Sequence, residues 1–325
     1  MNRSLKAVIL AAGKSTRMKS TMSKMVHSIL GKEIINFLLD SLIEIGLEEK
    51  DIVIVVGENE NEIRGVVKKQ VQYALQEPQL GTAHALISAG SYIQNHQGDL
   101  LVLVGDNPYI TAKALEKLLQ AHCAAKAAGS FISAIFPNTP PPYGRVIRDD
   151  DGSVLDVIEE ADATPEQLKI REVNSSIYAF DNRIVFPRLS RIDHCNAKKE
   201  YYLTDIIKIL NGDNYRVEAV PTEDYSISIG INNRWELQEA AKKFNEQNLK
   251  KMALEKGVTI LQPETTTIEF NVRIGQDTVI YPFSYIASGT VIGKNCRIGP
   301  LVYLKNATLM DGETISFAQI VREKG

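Results

Sequence analysis

Lys14, Arg17 and Lys24 lie within one stretch, Val8–Lys24, that reads VILAAGKSTRMKSTMSK. An apolar run ends at Leu10, and Ala11, Ala12 and Gly13 follow it with little or no side chain. Small residues at the end of a strand let a ligand approach the backbone closely. Their N–H groups can point at phosphate oxygens, as in other anion-binding loops. The three cations add positive charge locally. Two readings fit the stretch: a loop that holds a nucleoside triphosphate, or a plain strand-to-helix turn on an exposed basic surface. A P-loop is excluded, because GKST would need a glycine five residues before Gly13 and Val8 stands there.

Other residue types capable of chemistry recur after apolar runs. Gln76–Ala85 (QEPQLGTAHA) places Gln76, Gly81 and Thr82 where hydrogen bonds could read a nucleobase; a helix N-cap is the alternative. His84 fits helical packing better than metal ligation, since no partner stands at metal spacing. Asp106 follows Leu100–Val104 and Gly105. A carboxylate at a strand's carboxyl end is a natural Mg²⁺ ligand beside a triphosphate. An Asx turn or helix cap competes with that reading. Gly230–Asn233 (GINN) could add a neutral oxygen ligand. Tyr143–Arg145, Glu159–Asp162 and Val173–Ser176 carry a glycine, carboxylates and an amide suited to sugar hydroxyls and an N-acetyl group, though turns carry such residues too. Glu159 and Glu160 do not form an acid/base pair on a strand, where neighbours face opposite ways.

The elements that must position these residues alternate. Strands are expected at Lys6–Leu10, Asp51–Val56, Val71–Leu75 and Leu100–Val104. Helices are expected at Ile34–Ile45, Glu58–Lys68, Ala83–Ile93 and Thr111–Ala128, the last capped by Thr111 and stopped by Gly129. This rhythm argues for an α/β sandwich whose ligands bind at the carboxyl ends of the strands. Ser130–Pro137, Gly144–Arg148, Val154–Glu159 and Glu172–Asp181 read as strands of a mixed-sheet half, with a hairpin turn at Asp149–Ser153. Tyr201–Leu210 and Trp235–Lys256 read as helices. From Ile268 the pattern changes: Ile268, Ile274, Ile280, Ile286, Ile292, Ile298 and Leu304 recur every six residues. Val272, Thr278, Ser284, Thr290, Cys296 and Val302 sit four later in each repeat. That is the hexapeptide signature of a parallel β-helix, with about two to three coils. Val321–Gly325 is polar, the composition of a fraying end.

Composition narrows the classes. The 325 residues suggest about two domains. A net charge of −3 gives no basic field for nucleic acid. No apolar run approaches the ~18 residues of a membrane span. Cys123, Cys195 and Cys296 form no CxxC pair. A cytoplasmic protein with no membrane and no nucleic-acid partner is expected.

The ordered set LAAGKSTRM with Lys24, QLGTAHA, GDNP, YGR, EVNSSIYAFD, EYYLTDII and GINNR resembles one known family over about residues 5–310. It is similar to the N-terminal uridylyltransferase domain, with the first β-helix coils, of bacterial bifunctional N-acetylglucosamine-1-phosphate uridylyltransferase/glucosamine-1-phosphate acetyltransferase. The resemblance implies a Rossmann-like nucleotidyltransferase α/β/α sandwich with a mixed sheet, followed by a short left-handed parallel β-helix. It implies a nucleotidyltransferase domain at 1–232, a connecting helix at 233–257 and the β-helix at 258–325. It implies UTP and a sugar 1-phosphate as substrates, Mg²⁺ as cofactor, and a homotrimer through the β-helix. Arg17 and Lys24 would be catalytic, Arg17 offsetting charge on the leaving pyrophosphate. Leu10, Ala11, Ala12, Gly13 and Lys24 would hold the nucleotide, Gln76, Gly81 and Thr82 the uracil, and Gly105 would also line the substrate site. Gly144, Glu159 and Asn174 would contact the sugar, and Asp106 and Asn232 the Mg²⁺, with Asn232 also counted among the substrate-binding residues. The family's β-helix runs on for many coils that carry an acetyltransferase site, so a chain ending at Gly325 is expected to lack that activity. The chain departs from the family at Ser15 (Gly in the family), Ser23 (Pro), Ala161 (Lys), Ser175 (Thr) and Ser176 (Gly). The last three leave the sugar more open than the nucleotide. Another sugar-1-phosphate nucleotidyltransferase, or a decayed nucleotide-binding regulatory or scaffold protein, stand as alternatives.

Overall fold

The structure, a computed structural model, describes residues 4–323. The chain divides into two compact units. The first is the chain up to Val26 together with Ile34–Ile231; the second is His27–Glu33 together with the chain from Asn232. The short 27–33 segment and Asn232 thus fall outside the unit in which the 1–232 boundary would place them.

In the first unit, β1 (Leu5–Leu10), β2 (Ile52–Val56), β3 (Gln72–Leu75) and β4 (Asp99–Val104) run parallel. They continue into β5 (Gly129–Ile135), β8 (Glu172–Asp181) and β9 (Val217–Thr222), in the spatial order β9-β5-β8-β4-β1-β2-β3. β8 is antiparallel to both neighbours, and β9 is parallel to β5. β6 (Arg145–Arg148) and β7 (Val154–Ile158) form a side flap that pairs with β8. The helices longer than four residues are α1 (Ile34–Glu44), α2 (Glu60–Val66), α3 (Thr82–Ser88), α4 (Ala112–Ala125) and α5 (Asp205–Gly212). Residues alternate across the sheet. Val8 and Val53 join one apolar cluster with Leu86 of α3 and Ile206 and Leu210 of α5. Ala7, Ile9 and Ile54 join the other with Leu38 and Leu42 of α1 and Leu115 of α4. The central strands are covered on both faces, and this explains their near-continuous apolar runs. Each fully buried Ile or Leu contributes about 1.5–3 kcal/mol.

Several boundaries differ from those the sequence suggests. Thr111 caps α4 as expected, its hydroxyl accepting the Ala114 N–H (3.3 Å). The helix ends at Ala125, because Lys126 turns left-handed (φ 48°) and Gly129 instead opens β5. The expected helix over 83–93 breaks at Ala89 into Thr82–Ser88 and Gly90–Ile93. The helix expected from Tyr201 begins at Asp205, because the Tyr201 backbone is taken by Leu80 and Ala83. β9 was not expected at all. It contains Pro221, which is tolerated because β9 is the edge strand.

In the second unit, residues 28–33 form a two-stranded hairpin. Helix α6 (Arg234–Lys256) starts at Asn233, whose side chain accepts the Glu236 N–H (2.9 Å), and stops at Gly257 in the left-handed region (φ 66°). Beyond it, short strands stack as three parallel sheets of a left-handed β-helix. Ile268 lies over Ile286, Ile286 over Leu304, and Leu304 over Ile320. The positions four later in each repeat (Val272, Thr278, Ser284, Thr290, Cys296, Val302) are buried inside the coil. The stack also continues past Leu304, with Leu309 on Ile292 and Ile315 on Ile298. Leu309 comes five residues after Leu304 rather than six, which hides this continuation from a strict period. Val321 closes the last strand; Lys324 and Gly325 lie outside the described residues.

Candidate active site

The carboxyl ends of β1, β2, β3 and β4 share one rim. Leu10 is joined to Gly105 there, the Gly105 N–H donating to the Leu10 carbonyl (2.9 Å). A side chain at Gly105 would be tight: a Cβ would stand 3.1 Å from Met25 Sδ and 3.2 Å from the Ala11 Cβ. Ala11 and Ala12 are buried, whereas Gly13, Lys14 and Arg17 are exposed on the loop that follows. Asn59 stitches this loop: its Nδ2 donates to the Ala11 carbonyl (3.0 Å) and to Ser23 Oγ (2.9 Å). Asn59 has no part in the expected site. Its one sequence signal is its place just past β2, beside Gly57.

The serines that depart from the family pattern are built into the loop. Ser15 adopts a left-handed backbone (φ 55°), the conformation glycine takes most readily. Its hydroxyl accepts the Lys24 N–H (3.0 Å), which ties the two ends of the basic segment together. Ser23 donates its N–H to Glu62 Oε2 (2.6 Å), a bond proline could not make. Lys24 Nζ forms a close ion pair with Asp106 Oδ2, and both side chains are mostly buried. Asp106 itself is held through its backbone, its carbonyl accepting the Ile231 N–H (2.8 Å). Gly230 packs against the same carboxylate.

Asp106 is a single hard-oxygen donor. Among the described residues, no group of three or more His, Cys, Asp and Glu side chains gathers as a metal cage. Mg²⁺ is usually held by one or two carboxylates with substrate phosphates and water. The donor set fits an ion that arrives with a nucleotide. Asn232, the other expected ligand, belongs to the second unit; its N–H donates to Glu236 Oε2 (2.7 Å) at the head of α6.

Gln76 is buried after β3. Its Nε2 donates to the Gly81 carbonyl (3.0 Å) and lies 3.2 Å from His84 Nδ1. Gly81 (φ 114°) admits no Cβ, which would meet the Tyr201 backbone at 2.6 Å. The Thr82 hydroxyl accepts the Leu203 N–H (2.9 Å). All three residues therefore shape the loop around the 201–203 segment.

The second group gathers on the flap. The Gly144 carbonyl accepts the Asn174 N–H (2.9 Å), and a Cβ on Gly144 would stand 3.6 Å from Glu159 Oε1. Asn174 lies at a β-bulge in β8, where its Nδ2 donates to the Tyr178 hydroxyl (2.6 Å) and its Oδ1 accepts the Ser176 N–H (3.1 Å). Ser176 is left-handed (φ 56°), a second serine where the family has glycine. Ser175 pairs with Ser228 (2.9 Å). Thr204, which no motif of the sequence singles out, donates to Glu159 Oε1 (3.1 Å). Burial pushes the Glu159 carboxyl up, and the Thr204 bond works against that. Burial, followed by Asp162, Glu159 and Glu200, raises the neighbouring Tyr202 phenol to about 12. This side is acidic, unlike the rim of β1.

Residues 6–236 match the family described as nucleotidyl transferase. The chain belongs to the nucleotidyl transferase family. Residues 271–306 also match the bacterial transferase hexapeptide repeats. The chain is 40% identical to the bifunctional protein GlmU of Geobacillus sp. (strain WCH70) over 95% of its own length and 66% of that protein's. It is 41% identical to the protein of the same name from Geobacillus thermodenitrificans (strain NG80-2), over 92% and 64% of the two chains. For that of Brevibacillus brevis the identity is 38%, over 97% and 68%. The chain spans about two thirds of the length of these relatives. As a nucleotidyl transferase, it carries its basic loop and Asp106 within the matched segment, and likewise the Gly144–Glu159–Asn174 group.

Proposed function

We propose that this chain transfers a uridylyl group from UTP to N-acetylglucosamine 1-phosphate. A phosphate oxygen of the sugar 1-phosphate attacks the α-phosphorus of UTP. The bond from that phosphorus to the bridging oxygen breaks, and pyrophosphate leaves with the electron pair. Such transfers depend on positioning and charge neutralisation, so no protein nucleophile is required. The observation that carries the reading is the Lys24–Asp106 pair beside the Leu10–Gly13 cradle. It sets a cation for phosphate oxygens next to a carboxylate for a metal. Arg17 and Lys24 neutralise phosphate charge, Leu10–Gly13 and Gly105 let the nucleotide approach the backbone, and Gln76, Gly81 and Thr82 form the base edge. Gly144, Glu159 and Asn174 take the sugar. Asp106 would hold Mg²⁺, which when bound polarises the phosphoryl oxygens.

The reading extends to assembly and location. Phe283, Leu301 and Phe317 stand one above another at a β-helix corner and are 59%, 55% and 72% exposed. A ladder of large apolar side chains suits association with other copies of the chain, here proposed as a trimer. Cys123, Cys195 and Cys296 form no disulfide among the described residues, as a reducing compartment such as the cytoplasm would keep them. No helix among the described residues is long and apolar enough to cross a membrane.

The test is pyrophosphate release with Mg²⁺, UTP and N-acetylglucosamine 1-phosphate, run beside glucose 1-phosphate and dTTP. Release with UTP and the N-acetylated sugar alone is expected. Release with another pair overturns the substrate assignment, and nucleotide binding without any release overturns the enzymatic one.

A further inference from the structure

The flap carries a buried cation that the proposed reaction leaves unused. Arg145 is 2% exposed. Its Nη1 donates to the carbonyls of Pro141 (3.2 Å) and Tyr143 (2.5 Å), and its Nε has no partner. Among the described residues, no carboxylate forms an ion pair with it. Burying a guanidinium without an ion-paired carboxylate is costly; burial lowers its pKa, and the charge of Glu160 works against that to a smaller extent. A feature retained at such cost calls for a reason.

The reason lies in the loop it holds. Pro140, Pro141 and Pro142 are consecutive and supply no N–H donors. Their carbonyls must be satisfied from elsewhere. Of these, the Pro141 carbonyl accepts both the Tyr143 N–H (2.7 Å) and Arg145 Nη1; Arg145 also holds the Tyr143 carbonyl that follows, and Arg171 Nη1 holds the loop's start at the Pro137 carbonyl (3.1 Å). The Tyr143 carbonyl and the Gly144 N–H belong to one planar peptide unit and point in opposite directions. A guanidinium bound to that carbonyl therefore aims the Gly144 N–H away from itself. Among the described residues this N–H has no hydrogen-bond partner, while the Gly144 carbonyl is already bound to Asn174. Gly144 also lies beside Glu159, on the edge assigned to the sugar.

We propose that Arg145 is the positioning residue of the acceptor pocket, locking the Tyr143–Gly144 peptide so that the Gly144 N–H is presented to an oxygen of the sugar 1-phosphate. This inference rests on the function proposed above. Arg145 does not touch the acceptor; it acts through the peptide. Its side chain is a better staple than lysine, because the planar fork holds a fixed direction toward two carbonyls.

The test compares wild type with Arg145→Met and Arg145→Lys, using N-acetylglucosamine 1-phosphate and UTP as varied substrates. Loss of one charge-assisted hydrogen bond is expected to raise the acceptor KM of Arg145→Met roughly tenfold to a hundredfold. The KM for UTP should stay within about twofold, and Arg145→Lys should fall in between. An unchanged acceptor KM in Arg145→Met overturns the proposal. So does an equal rise in both KM values in the two variants, which would mark Arg145 as a staple of the fold alone. If Arg145→Met does not fold, Arg145→Lys alone decides, by whether its KM rise is confined to the acceptor. Wild-type turnover is measured first, so a failure of the proposed function is seen separately. An enzyme that prefers another sugar phosphate is assayed with that acceptor. A silent one is titrated calorimetrically with N-acetylglucosamine 1-phosphate, and equal affinity in wild type and Arg145→Lys overturns the positioning role.

Discussion

Gly230→Ala is a small change with a large expected effect. A Cβ at Gly230 would stand 2.8 Å from Asp106 Oδ1, 3.0 Å from its Cγ and 3.1 Å from Oδ2. The carboxylate must retreat by roughly half an ångström to reach ordinary contact distance. It is not free to swing: Oδ2 is bound to Lys24, and the Asp106 carbonyl is bound to the Ile231 N–H. Misplacing a reacting group by ~1 Å costs about a hundredfold in rate. The expected loss in kcat is thus about tenfold to a hundredfold, or roughly 1.4–2.7 kcal/mol of transition-state stabilisation. Overpacking should cost the fold only about 1–3 kcal/mol, so the variant should remain folded. The assay is pyrophosphate release over a Mg²⁺ series, with thermal melting as control. kcat should fall and the Mg²⁺ requirement should rise. A variant with wild-type kcat and an unshifted Mg²⁺ curve would refute the reasoning, since Asp106 would then have moved without consequence.

Three further outcomes follow from other parts of the chain. Asp106→Ala should abolish Mg²⁺-dependent turnover and leave the melting transition cooperative; unchanged turnover would remove Asp106 from the mechanism. Asp205 is pushed up to about 6 by burial and then by Asp156, Asp193, Glu159 and Asp162. A carboxyl raised in the folded state stabilises fully below its ordinary pKa near 4 and loses that contribution as pH rises through about 6. Asp205→Asn should therefore stabilise the fold by about 1 kcal/mol above pH 6, after allowance for solvent screening, and by nothing near pH 4. Melting from pH 4 to 8 checks this, and a uniform shift would contradict it. Leu301→Asp combined with Phe317→Asp should lower the sedimentation coefficient of the assembly without unfolding the coils; unchanged sedimentation of a wild-type oligomer would place the interface elsewhere.

The parts of the fold most legible in the sequence are those whose signal is local. The apolar runs of β1, β2 and β4 and the six-residue repeat from Ile268 report burial directly, because each repeats one physical environment. What stayed hidden depends on long-range partners. Tyr201 is helical by pattern, yet its backbone is claimed by Leu80 and Ala83. Lys126 ends α4 through a left-handed turn that its residue type does not announce. Pro221 masks β9, because whether a strand lies at an edge is a property of the sheet and not of the strand. Asn59 binds across 48 residues to Ala11, a distance no local motif spans.

The candidate site shows the same division, and it explains why the departures from the family pattern do not argue against a working loop. Read as letters, Ser15 and Ser176 in place of glycine suggest lost backbone freedom. In the structure both positions are left-handed, as a glycine there would be. The cost of a left-handed non-glycine residue, about 1–2 kcal/mol, is met locally. The Ser15 hydroxyl binds the Lys24 N–H, and the Ser176 N–H binds Asn174 Oδ1. Each serine thus sits one hydrogen bond from a residue the proposed reaction needs, one on the phosphate side and one on the sugar side. A loop decaying under relaxed constraint would leave strained residues unsupported. Here the strain sits where side-chain and backbone bonds fix Lys24 and Asn174 in place, and that arrangement favours a site kept for catalysis over a scaffold that merely retains the fold.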